Sequence, residues 1–161
     1  MQTLQGAVLG IETSCDETAV AVLGPNGEIL ANVLDSQIEV HVPYGGVVPE
    51  LASRRHMECL EHLTREALKQ SHISLSRLQG IAVTNGPGLV GALIVGLNFA
   101  KALAYSSRVP LVSVNHLEGH LASAWLADPG FSFPALVLIA SGGHTHLALV
   151  SEPGSYQFVG W

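Results

Sequence analysis

The sequence predicts an α/β fold, a mixed sheet with flanking helices, on three observations. Of the 161 residues, 48% are apolar and 12% charged. That balance suits a single domain with a real core and covered sheet faces rather than a disordered chain. Short β-rich runs bounded by turn residues alternate with two long stretches of helical period. Finally, residues 11–22 and 139–150 look alike: each is a strand, a polar tip with a threonine, and an alternating strand. This is the pattern of a duplicated unit, a β-meander followed by alternating α and β, with a second copy just begun.

The elements follow in order. Ala7 to Glu12 and Thr18 to Leu23 read as strands joined by the polar tip Thr13-Ser14-Cys15-Asp16-Glu17-Thr18. Gly24-Pro25-Asn26-Gly27 is a turn, and Glu28 to Gln37 a third strand. Val40 to Pro49, with His41, Tyr44 and paired glycines, reads as a loop, either a substrate-contacting lid or a connector. Glu50 to Gln70 has helical period, with Met57, Leu60, Leu63, Thr64, Ala67 and Leu68 near one face.

Gly80 to Thr84 is a strand, Asn85-Gly86-Pro87-Gly88 a tight turn, and Leu89 to about Tyr105 a second helix. Gly91 and Gly96 lie inside that helix at a cost of about 1 kcal/mol each relative to alanine. Close backbone packing, within the domain or at a partner surface, is the natural reason. Leu111 to Val114 is a buried strand, and Asn115 caps a helix whose core face is Leu117, Leu121 and Ala124. Pro134 to Ala140 is the most apolar strand; it runs into Ser141-Gly142-Gly143-His144-Thr145, and His146 to Val150 returns. Tyr156 to Trp161 begins a third strand after the turn Glu152-Pro153-Gly154-Ser155. Residues 1–133 are read as a first lobe and 134–161 as the start of a second-lobe meander, so the chain is expected to be a fragment.

Composition excludes some classes. Thirteen acidic residues face seven lysines and arginines, a net charge of −6. Such a chain is a poor match for nucleic acid by itself. The apolar run Gly86 to Leu97 is broken by Pro87 and is too short to span a membrane. Residues 1–5 carry no signal-peptide features. Two cysteines, Cys15 and Cys59, make no disulfide framework, and a reduced cytoplasmic setting is the simple inference.

Three places can carry chemistry. His116 and His120 lie four residues apart at a helix start, so their imidazoles project from one face. Such a pair can ligate one metal ion, or can be two surface or cap histidines. Glu118 points to the opposite face, unlike the zinc-protease helix, where the glutamate directly follows the first histidine. The tip 13–18 offers hydroxyls and amides that can hold an anion, but Asp16 and Glu17 would repel a bare one and better meet a metal-bound or cationic group; an ordinary polar turn is the alternative. Gly142-Gly143 can expose amide donors to a ligand, or simply form a hairpin turn. Two such tips facing each other across a cleft would suit a nucleotide or acyl-adenylate.

Five motifs in order complete the reading: Gly10-Ile11-Glu12-Thr13-Ser14-Cys15-Asp16-Glu17-Thr18, Pro49-Glu50-Leu51-Ala52-Ser53-Arg54-Arg55-His56, Gly86-Pro87-Gly88-Leu89-Val90-Gly91, Asn115-His116-Leu117-Glu118-Gly119-His120 and Ser141-Gly142-Gly143-His144-Thr145. Together they closely resemble the TsaD family, formerly called glycoprotease or O-sialoglycoprotein endopeptidase. The resemblance implies an actin-like ATPase (ASKHA, ribonuclease H-like) fold of two duplicated lobes, of which this is the first. It implies transfer of a threonylcarbamoyl group from threonylcarbamoyl-AMP to the exocyclic amine of the adenosine 3′ of the tRNA anticodon. It further implies that His116 and His120 bind one divalent metal, iron or else zinc. Ile139, Ala140, Ser141, Gly142 and Gly143 match the family's substrate-binding strand, and Asp16 and Glu17 match acidic residues at the active-site mouth. The family's third metal ligand is an aspartate of the second lobe, absent here, so the chain alone is expected to be inactive. Partners implied are tRNA, a TsaB-like paralogue and a TsaE-like ATPase, with no membrane. The glycines of the second helix are expected to pack against the TsaB-like subunit.

A metallopeptidase, a sugar- or acetate-kinase-like phosphotransferase and a TsaB-like scaffold are the competing readings. The placement of Glu118 opposes the first. The His-x3-His helix is unneeded by the second and missing from the third.

Overall fold

The computed structural model describes residues 6–128, 130–141 and 145–161. They form two compact units, Met1–Val114 and Asn115–Trp161.

The first unit is built on a five-stranded sheet of order β3-β2-β1-β4-β5. Its strands are β1 (Ala7–Glu12), β2 (Glu17–Leu23), β3 (Ile29–Ser36), β4 (Leu78–Gly86) and β5 (Leu111–Asn115). The meander β1–β2–β3 is antiparallel, whereas β4 runs parallel to β1. The sheet is therefore mixed, as the sequence predicts. Alternation decides its faces: Leu9 and Ile11 pair with Val22 and Val20 on one side and with Ile81 and Val83 on the other. All six are buried against Leu60, Leu63 and Ala67 of α2 (Pro49–Gln70) and Ala100 and Ala104 of α3 (Val90–Ser107). Both long helices thus cover the same face of this sheet.

Three expectations change. Strand β5 is not buried: none of its residues is, and Val112 is 56% exposed. The segment 40–49 is not wholly loop: a short helix α1 (Ile38–His41) and a 3₁₀ turn (Val42–Tyr44) precede the open stretch 45–48. On α2, Met57 is 62% exposed, and the neighbouring His56 occupies the core face with Ala52, Cys59, Leu60, Leu63, Thr64 and Ala67. The helical period places the apolar stripe correctly but cannot choose between adjacent positions at its edge.

Helix α3 is long and apolar enough to cross a membrane by length and composition, unlike the shorter run judged from sequence. Here its small-residue stripe Ala92, Gly96, Ala100 and Ala104 is buried in the unit.

The second unit is an antiparallel sheet β6-β7-β8 of Ala135–Ala140, Thr145–Glu152 and Ser155–Gly160, with α4 (His116–Ala127) packed on one face. Leu121 meets Ile139, Ala148 and Val150, while Leu117, Trp125, Phe133, Tyr156 and Phe158 border this core. The other face presents Leu136, Leu138 and Leu149 in the open. The meander of β6–β8 repeats that of β1–β3. Each second turn closes on a glycine in the left-handed region, Gly27 at φ +82° and Gly154 at φ +81°, where a Cβ would be strained.

Candidate functional site

In the first unit, three of the sequence motifs converge on the hairpin tip 13–18. The tip is less free than a polar turn suggests. Thr13, Ser14 and Thr18 are buried, while Cys15 and Glu17 are exposed and Asp16 is half-buried. Thr13 Oγ1 donates to the Ala92 carbonyl of α3 at 2.9 Å. The amide of Leu89 donates to the Ser14 carbonyl at 2.8 Å, anchoring the Gly-Pro-Gly turn. A Cβ on Gly88 would lie 2.5 Å from that same carbonyl, so only glycine allows the approach. Gly96 faces Thr13 with no room for a Cβ, and Gly91 faces Ser53 of α2. Gly96 therefore serves packing inside the unit, and the expectation that it packs against a partner subunit is corrected; Gly91 is exposed and meets only the end of the Ser53 side chain.

The far side of the tip is held by α2. Fully buried His56 places Nδ1 2.7 Å from Thr18 Oγ1 and Nε2 3.0 Å from the Cys15 carbonyl. Cys59 Sγ donates to Thr18 Oγ1 at 3.2 Å. The Gln37 amide donates to the Asp16 carbonyl at 3.0 Å. Burial holds His56 below the usual imidazole range, against the opposing pull of the Cys15 carbonyl and of Glu12, Asp16 and Asp35. Partial burial, then Asp16, pushes the Cys15 thiol up to about 11, so at neutral pH it is protonated and a weak nucleophile. The hydroxyls of Thr13 and Thr18 are thus committed to structure. The carboxylates of Asp16 and Glu17 are what the tip presents outward. Sequence reasoning gave no role to His56, Gln37, His41 or Cys59. The one available signal was a histidine on the apolar stripe of α2, next to Ala52, Cys59 and Leu60.

In the second unit the helix start is as expected. The Asn115 side chain accepts from the Leu117 amide at 2.9 Å, a normal N-cap. Immediately after it, half-buried His116 and His120 bring their Nε2 atoms to 3.0 Å of each other. Two imidazole nitrogens bound to one ion at about 2.0–2.1 Å stand roughly 2.9–3.4 Å apart for octahedral to tetrahedral angles. As it stands this separation is a hydrogen bond between the two rings, and it also lies within the range for one shared ion. Among the described residues no third His, Cys, Asp or Glu joins it. Burial, followed by the nearby Glu118 carboxylate, raises the pKa of the Tyr156 phenol on β8.

Of the substrate-strand residues, Ile139 is buried in the second core, whereas Ala140 and Ser141 are exposed at the end of β6. Gly142 and Gly143, with His144, lie outside the described residues. His146 packs against Phe158 and Trp161 in tilted and edge-on contacts, ring centroids 5.2 and 5.5 Å away.

Comparison with known proteins bears on the family and the fold. The sequence model of TsaD, tRNA N6-adenosine threonylcarbamoyltransferase, matches residues 28–161. Proteins of that name from Caldicellulosiruptor saccharolyticus and Clostridioides difficile are 48% and 51% identical to this chain over 95% and 94% of its length. The chain spans only 46% and 45% of theirs. Among solved structures, YeaZ from Pseudomonas aeruginosa superposes with a TM-score of 0.62 at 16% identity, covering 98% of this chain and 65% of that one. The ethanolamine utilization protein EutJ from Carboxydothermus hydrogenoformans gives 0.53 at 18% identity, covering 98% and 52%. At such identity these two speak for the fold alone, which is that of an actin-like ATPase, ribonuclease H-like lobe.

Proposed function

This chain belongs to the TsaD family of tRNA N6-adenosine threonylcarbamoyltransferases, and on that premise we propose that it is the N-terminal part of an enzyme acylating tRNA. The reaction is transfer of the threonylcarbamoyl group from threonylcarbamoyl-AMP to the exocyclic amine of the adenosine 3′ of the anticodon, in tRNAs reading codons that begin with A. We place residues 1–133 in the first lobe and 134–161 at the start of the second.

The observation that carries this reading is the 3.0 Å His116–His120 pair at the start of α4, in a chain matched to the family from residue 28 to 161. The two imidazoles would hold one divalent ion, iron or zinc, with further ligands from outside the described residues. When bound, such an ion supplies Lewis-acid polarisation of a carbonyl and anchorage for the threonyl group. The acyl-adenylate carries its own good leaving group, so no Ser-His-Asp triad is needed. The attacking amine forms the new C–N bond, AMP departs with the broken C–O bond, and the amine proton passes to a base. The outward carboxylates of Asp16 and Glu17 are suited to take it. Ile139 to Gly143 would line the acyl-adenylate through backbone groups, since the Ile139 side chain is committed to the core.

The metallopeptidase reading fares worse, because Glu118 does not directly follow the first histidine, the position from which a zinc-protease glutamate activates the bound water. The net charge of −6 leaves tRNA binding to surfaces supplied by partners. We assign that role to a TsaB-like paralogue, with a TsaE-like ATPase completing the assembly in the cytoplasm. The outer side of α3 is a suitable contact for the paralogue: Val90, Ile94 and Tyr105 are 73%, 50% and 89% exposed.

The test is transfer by the whole protein with its partners, threonylcarbamoyl-AMP and tRNA, read as modified adenosine by mass spectrometry of nucleosides. Modification that requires an intact His116–His120 pair supports the reading. Glycoprotein cleavage without tRNA modification overturns it.

A further inference from the structure

The hydrogen bonds around His56 form a chain in which each proton has one direction. The Cys15 carbonyl can only accept, so Nε2 of His56, 3.0 Å away, carries the proton. Nδ1 is then an acceptor, taking the Thr18 hydroxyl at 2.7 Å and facing the Gln37 side-chain nitrogen at 3.4 Å. Further out, the Val48 amide donates to His41 Nδ1 at 3.3 Å. Nε2 of His41 must therefore be the protonated nitrogen, and it donates to Gln37 Oε1 at 3.1 Å. That fixes the Gln37 amide, with its oxygen toward His41 and its nitrogen toward His56 and the Ala52 carbonyl at 3.5 Å. The backbone amide of Gln37 meanwhile holds the Asp16 carbonyl. Gln37 and His56 are fully buried and His41 nearly so. In such a site, reversing one donor leaves two protons facing each other without water to absorb the mismatch.

The chain begins at Val48, in the open stretch after the 3₁₀ turn, and ends on the two peptides that carry Asp16 and Glu17. We propose that His56 is a positioning residue for the transfer reaction: through the Cys15 carbonyl it sets the Cys15–Asp16 peptide and with it both carboxylates, and Gln37 and His41 extend the same constraint to residues 45–48. The proposal rests on the reading that Asp16 and Glu17 belong to the active site. It predicts that the open stretch and the tip move together.

Transfer kinetics of the whole protein with its partners test it, comparing His56→Leu, His56→Gln and, as a control on the same helix, Thr64→Val, which removes a buried hydroxyl bonded only within α2. Glutamine can still donate an amide proton to the Cys15 carbonyl, whereas leucine cannot. The expected result is a roughly 10- to 100-fold lower kcat for His56→Leu, as for a misplaced reacting group. KM for tRNA should stay within about twofold. Glutamine should recover most of the loss, and Thr64→Val should leave kcat unchanged. A glutamine variant as slow as the leucine variant, or a leucine variant with wild-type kcat, overturns the proposal. Nitrogen NMR of the wild-type imidazoles gives a test that survives a variant failing to fold: a proton on Nδ1 of His56 rules the arrangement out. Amide shifts of residues 15–17 separate the two levels of inference. Asp16→Asn and Glu17→Gln with full turnover sink the active-site reading, whereas unmoved tip shifts in His56→Leu sink the positioning role.

Discussion

Thr13 Oγ1 stands where a side chain on residue 96 would have to begin, and the Ala92 carbonyl holds it there at 2.9 Å. Thr13 Cγ2 and Cβ would also lie only 3.2 and 3.3 Å from a Cβ on Gly96, so turning the hydroxyl away would break its bond to Ala92 and still leave tight contacts. Gly96→Ala should destabilise the unit by about 1–3 kcal/mol through overpacking, less the gain in helix propensity of about 1 kcal/mol. Gly91 is a milder case, since its neighbour is Ser53 Oγ, the end of a side chain that can turn away. Gly91→Ala should be near neutral. Urea denaturation midpoints at unchanged slope check the pair; equal midpoints for both variants would show that Thr13 yields.

Stability should depend on pH through His56. Its folded pKa lies below the ordinary value because burial disfavours the cation, despite Glu12, Asp16 and Asp35 nearby. The unfolded chain therefore binds the proton more readily. The contribution is complete above the unfolded pKa of about 6.5 and is lost as pH falls from there through the folded pKa. His56→Gln should flatten this part of the profile, measured as melting temperature between pH 7.5 and 5. An unchanged acid limb would place the titrating group elsewhere.

Two imidazoles leave most of a coordination sphere to water, so this chain alone should bind a divalent ion weakly. In the whole protein, affinity should rise steeply as further ligands close the site. His120→Ala should abolish transfer while the melting temperature stays near wild type, because the half-buried ring leaves little cavity. Elemental analysis and transfer assays check both; equal stoichiometric metal in chain and whole protein would deny any further ligand.

The outer side of α3, where exposed Val90, Ile94 and Tyr105 flank Asn98 and Lys101, should carry the paralogous partner. Ile94→Glu or Tyr105→Glu should weaken pull-down of a TsaB-like subunit, and tRNA binding with it, without unfolding the unit, since both side chains are exposed. Retention of the partner by both variants would move the interface off this helix.

The sequence by itself determined the strands, the three longer helices and their order, but not the short helix α1 or the 3₁₀ turn after it. Period-two alternation specified the strands, and their faces follow from it. Asn115 followed by His-x3-His specified the helix and the imidazole pair on it, because a cap and a four-residue spacing are local facts of one helical turn. The meander's repetition was equally legible, down to the turns closed by Gly27 and Gly154. Only the tertiary structure decided what Gly88 and Gly96 are for, and that His56 rather than Met57 faces inward. Thr18 and His56 are 38 positions apart, and Thr13 and Ala92 are 79 apart. Whether such residues meet depends on how β1 aligns with β2 and β4 and where α2 and α3 settle over that sheet. Packing of the whole layer sets this, and no local pattern along the chain records it.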